Sequence, residues 1–188
     1  MMPIDKITAF FTSQDITAER NKQFPDEQFS SDIYAEKSGK SMLILPFTDY
    51  FFIHNFDDQP KHLEHFQKLH ESARSYVNAQ YKVPKALRIS VPNIATIAFS
   101  MHAFPQDMTD YVQQNTRSVV GGEFHAMYLI DMENKEFYSP GRNTTYVHGE
   151  ARLIWGSHKE FKRIDPQNRT FYLVERLTQS LFGENLAT

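Results

Sequence analysis

The 188-residue chain contains no cysteine. That absence removes disulfides, thiolate nucleophiles and cysteine-based zinc sites together. It fits a cytoplasmic protein, which is the location we expect. Glycine is scarce, at 7 residues, so long flexible linkers are not expected. Long apolar runs are missing too. No window approaches the roughly 18 apolar residues needed to span a bilayer. The opening MMPIDKITAFF is interrupted by Asp5 and Lys6, which excludes an unbroken signal-peptide core. Basic excess is also absent, since the net charge is −3. Nucleic-acid binders draw most of their affinity from neutralising phosphates. Six Lys/Arg residues lie between Arg152 and Arg176, but Glu160, Asp165 and Glu175 are interspersed among them, as on a solvated face. Neither a nucleic acid nor a membrane is expected as a partner.

What is present is ordinary in amount and unusual in kind. Hydrophobic residues make up 40% and charged residues 23%, enough for a sizeable core. Aromatic content is high, with 16 Phe and 9 Tyr. Such residues fill cores and enrich interfaces alike. The length predicts a single globular domain over residues 1–188.

Periodicity then sets the elements. Ile4, Ile7, Phe10 and Phe11 predict a short amphipathic helix over 3–13. Residues 14–28 are polar, contain Pro25 and read as an irregular lead-in. SDIYAE and SMLILPF read as strands around a turn at Lys37–Lys40, and DYFFIHNF as a strand apolar on both faces, hence central. The clearest helix begins near Asp58 or Gln59 as cap, with Pro60 in its first turn, and carries Leu63, Phe66, Leu69, Ala73, Tyr76 and Val77. ALRISV and IATIAFSMHAF follow as strands on either side of Pro92. PQDMTDYVQQNT reads as a short helix, and EFHAMYLIDMENKEFYSP as a hairpin turning at Met132–Lys135. After a polar loop over 139–150, ARLIWGS reads as a strand. A last helix opens at Asp165-Pro166 and closes at Gly183, burying Phe171, Val174, Leu177 and Leu181. The expected fold is α+β: a largely antiparallel sheet built from hairpins, with a mixed sheet as the alternative and three main helices packed on it.

Several motifs bear on chemistry. EKSGKS ends like a phosphate-binding loop, but Tyr34 stands at the first-glycine position and a strand follows where a helix is required. His54, Asp57 and His102 lie at two strand ends. If those ends are neighbours, two imidazoles and a carboxylate suffice for an open catalytic metal site. Capping of the following helix explains Asp57 and Asp58 without a metal. His62 and His65 are at metal-sharing spacing, yet the helix boundary suggests solvated histidines. Gly122-x-x-His125 resembles the histidine-bearing strand of papain-like hydrolases, whose nucleophile this chain lacks. Glu133-Asn134-Lys135 resembles the Glu-x-Lys of metal-dependent nucleases, but falls at a predicted hairpin tip. Arg142 and His148, in the polar loop, are candidates to contact an anionic ligand.

No motif amounts to a catalytic signature. The expectation is a cytoplasmic binding or regulatory domain that meets a protein partner or a second copy of itself, with no metal and no cofactor. The alternative is a metal-dependent hydrolase using His54, Asp57 and His102.

Overall fold

The computed structural model describes residues 2–25, 29–41, 45–82, 92–114, 123–140, 146–152, 158–164 and 169–183. It is an α+β fold with a six-stranded mixed sheet and four helices. Helix α1 (Pro3–Ser13) starts with proline, whose missing N–H costs nothing in a first turn. Asp5 turns its carboxylate back to the Met2 N–H, at 3.3 Å. Asp15, at φ 56°, then lets Ile16 N–H close on Phe11 O and reverse the chain.

Strand β1 (Thr17–Phe24) occupies part of the segment predicted to be irregular. It is an edge strand. Its polar residues need no buried face, so alternation is faint, and Glu19, Arg20 and Lys22 blunt the edge against pairing with other chains. Asn21, at φ 50°, interrupts the register with β2 (Phe29–Ser41). The turn predicted at Lys37–Lys40 is also corrected. β2 continues through Gly39, which pairs with Phe47 of β3 (Leu45–Asn55). A Cβ at Gly39 would lie 2.6 Å from the Phe47 ring. The glycine is there to let an aromatic ring lie across the neighbouring strand, rather than to make a turn.

From β3 the sheet changes character. β3 runs parallel to β4 (Pro92–Ser100), and β4 parallel to β5 (Phe124–Asp131). Helix α2 (Leu63–Ala79) and helix α3 (Gln106–Gln114) form the two crossovers. The centre of the sheet is therefore two successive βαβ units, where hairpins were expected to dominate. β6 (Glu136–Tyr138) returns antiparallel through the turn predicted at Met132–Lys135. A separate pair, β7 (Tyr146–Arg152) and β8 (His158–Ile164), precedes α4 (Arg169–Phe182). β7 thus takes up residues that were predicted as polar loop. ALRISV, most of ARLIWGS and the Asp165-Pro166 opening lie outside the described residues.

β3 and β4 are buried on both faces, as parallel central strands require. On one face, Phe51, Ile53, Ile97, Phe99, Tyr128 and Ile130 meet α1 and α4, the latter through Phe171, Val174, Leu177 and Leu181. That stripe is the one predicted from sequence. On the other face, Phe52, Ile94, Ala98 and Leu129 meet α2 and α3. The aromatic excess resides here too: Phe24, Phe29, Tyr34, Phe52 and Tyr76 form one cluster with ring centroids 4.5–6.4 Å apart. Among the described residues the exposed large hydrophobic side chains are Met2 and Met101. Most of the described aromatics build a core, so their abundance alone is no sign of an apolar interface.

Candidate functional site

Among the described residues, three gatherings of chemistry-bearing side chains stand out, and the sheet explains each. The first is the end where β3 and β4 finish. Phe56 N–H donates to Phe99 O, so the two strand ends are neighbours. Asp57 does not cap α2. Its carboxylate accepts the Ser100 O–H at 2.9 Å and the Met101 N–H at 2.7 Å. α2 instead begins at Leu63, with His62 as an N-cap that makes no side-chain bond. His102 is exposed, its carbonyl accepting from Lys61 Nζ. His54 points the other way, into the core beneath α2, 1% exposed. The strand ends thus bring the Asp57 and His102 segments together and leave His54 sequestered. The described residues hold no group of three or more His, Asp or Glu placed to hold a metal ion. Arg142 lies outside the described residues. His148 is placed in β7 opposite Lys162, by backbone only.

Burial decides the state of His54. It pushes the imidazole pKa down to about 3, with a smaller contribution from His65. Nε2 has no hydrogen-bond partner among the described residues. The folded state therefore holds a neutral imidazole that the unfolded chain protonates below its ordinary value near 6.5. Stability is full above pH 6.5 and declines as pH falls toward 3, by about 1.4 kcal/mol per pH unit for one such histidine. Urea melts at pH 7 and pH 5 should show a loss of about 2 kcal/mol traceable to this residue. His54→Leu should remove that part of the slope. An unchanged slope in the variant would mean that His54 is protonated in the fold.

The second place is a polar network between α2 and the start of β5. His70 is buried. Its Nδ1 lies 2.8 Å from Thr96 Oγ1, and its Nε2 lies 3.0 Å from His125 Nδ1. One turn on, Arg74 donates to Glu123 at 2.5 and 2.8 Å and to Glu71, while Asn78 donates to the other Glu123 oxygen at 2.6 Å. Glu123 is fully buried. Desolvation, then the neighbouring His125 and Arg74, hold His70 well below the usual histidine range. Sequence reasoning missed this network. Its signal was available: His70, Arg74 and Asn78 recur every four residues on one helix face, and Glu123 and His125 share one face of a strand. The pairing of the two elements is what no spacing reveals. The hydrogen bonds join helix to sheet and fully engage the acid.

The third place is a half-open cleft of about 430 Å³ beside α2. Phe29 and Ser30 of β2 form one wall. Gln59 and Pro60, from the stretch that leads into α2, form another. His65, Lys68, Leu69 and Ser72 of α2 complete it. His65 is half-buried, with Nε2 3.0 Å from Gln59 Oε1. Burial, then the Lys68 and His62 charges, lower its pKa. Among the described residues no carboxylate lines the cleft.

The order β3-β4-β5 never reverses and both crossover helices lie on one face, so the sheet lacks the switch-point crevice where open α/β sheets bind nucleotides. No helix is long and apolar enough to cross a membrane among the described residues. Comparisons with protein-family models, with curated proteins and with solved structures each found no match.

Proposed function

We propose that this protein is a binding or regulatory domain that engages a protein partner, its binding surface being the cleft beside α2. The observation that carries this reading is how the reactive side chains are used. Asp57 ties the end of β4, Glu123 anchors α2, and Asp131 holds Asn134 through its N–H and Nδ2. His70 is spent on Thr96 and His125. Each of these groups braces the fold, whereas the cleft presents a cation, two hydroxyls and an amide to solvent. A volume of that size suits one or two side chains of a partner.

The competing reading is a metal-dependent hydrolase at Asp57 and His102. It draws on the adjacency of their strand ends. Purified without chelator or metal-affinity tag, the protein should carry no stoichiometric zinc, manganese or iron. It should also turn over none of a panel of ester, phosphoester and peptide substrates supplied with divalent metal. Turnover abolished by both Asp57→Asn and His102→Ala would replace the binding-domain reading with the hydrolase. The Asp57 variant must be checked for folding by circular dichroism, because its carboxylate holds Ser100 and Met101. The exposed His102 variant serves as the folded control.

A further inference from the structure

We propose that the cleft beside α2 takes an acidic peptide segment of a partner, with Lys68 as counter-charge and an apolar side chain of the same segment against Phe29 and Leu69. This rests on the binding-domain reading and narrows it to a ligand class. Three features of the cleft lead there. Its charged side chain is Lys68, which is exposed, and among the described residues no carboxylate opposes it within the lining. Ser30, Ser72 and the amide of Gln59 supply neutral donors around that charge, the combination that holds a carboxylate. Phe29, Pro60 and Leu69 supply an apolar wall, which a free inorganic anion would leave unused. Phe29 is itself fixed by stacking on Phe24, with ring centroids 4.6 Å apart, so the wall is formed before binding.

His65 gives the site a second property. It stands between the cleft and the core. His54 lies behind it in β3, and His62, Glu64 and Lys68 flank it on α2. Asp107 of α3 lies across the adjoining surface, and Gln59 meets its ring. Without ligand, the balance of these groups favours the neutral ring. A carboxylate arriving beside Lys68 favours the charged ring. Affinity should therefore rise as pH falls through the His65 titration.

The test is an amide and imidazole NMR titration of the intact protein with acetyl-Glu-Phe-Glu-amide, acetyl-Lys-Phe-Lys-amide and inorganic phosphate. The acidic peptide should shift Ser30, Gln59, His65, Lys68 and Ser72, bind several-fold tighter at pH 5.5 than at pH 7.5, and lose at least tenfold in affinity in Lys68→Glu. Lys68 is exposed, so that variant should fold as the parent does. Shifts of equal size with the basic peptide, or shifts centred elsewhere, would overturn the proposal. Phosphate alone reproducing the pattern with equal affinity would overturn the peptide assignment in favour of a free-anion site. Failure here leaves the metal and turnover measurements standing as the separate test of the broader reading.

Discussion

Arg74→Met should destabilise the protein by about 3–5 kcal/mol, the range for removing one partner of a buried ion pair. The asymmetry of the pair sets this expectation. Glu123 is fully buried, whereas the Arg74 side chain is 23% exposed and also grips Glu71. Removing the arginine leaves a carboxylate in the core without its guanidinium. Asn78 still donates to it, but an amide brings no charge. Removing the acid instead, as in Glu123→Gln, leaves the arginine a route to Glu71 and to water, so that loss should be smaller. Urea melts of the two single variants and of Arg74→Met with Glu123→Leu check the ordering. The double variant should recover much of the stability, because an apolar pair of similar volume escapes the desolvation cost. Equal losses in all three would show that the network packs without electrostatic consequence.

Leu177→Ala should cost about 2–5 kcal/mol, the span seen for large-to-small changes at fully buried sites. Leu177 has no exposed surface and sits on the stripe that α4 presses against the sheet, between Val174 and Leu181. The opposing surface belongs to strands and to α1, which cannot collapse into the gap without moving the sheet. A thermal or urea melt with a loss below about 0.5 kcal/mol would contradict this placement.

α4 and α1 were legible in the sequence because their partners lie on one broad apolar surface. For such helices a stripe at helical spacing is sufficient information, and Phe171, Val174, Leu177 and Leu181 carried it. β3 was legible as central because residues Tyr50 to Ile53 are apolar on both faces. β1 was not, because an edge strand is polar by necessity and resembles a loop. Gly39 misled for a related reason. Glycine between apolar runs is the usual mark of a turn, and here it marks a close cross-strand ring. The parallel centre was anticipated only through the mixed-sheet alternative, although its ingredients, strand-helix-strand twice over, were present in the predicted order of elements. The candidate residues fared in proportion to how local their interactions are. Asp57 was assigned to the helix that follows it in the chain, while its actual partners, Ser100 and Met101, are 43 and 44 positions away. His70 drew no attention at its place on an amphipathic helix, yet it faces Thr96 and His125 across the layer. Partners 26 and 55 residues apart leave no trace in local spacing.

The strand order also has a consequence for synthesis. In the six-stranded sheet each strand lies beside the one made just before it. A nascent chain can therefore extend the sheet strand by strand, each new pairing closed by a hairpin or a single crossover helix. Coverage does not follow the same schedule. α1 is made before the sheet, but α4, which meets it on the same face, is made after it. Until α4 emerges, the surface formed by Phe51, Ile53, Ile97 and Tyr128 lacks the cover that Phe171, Val174, Leu177 and Leu181 supply. The hazardous interval for this chain in the cell runs from completion of β5 to release of α4, and a ribosome stalled within it would present the face on which a holdase chaperone acts.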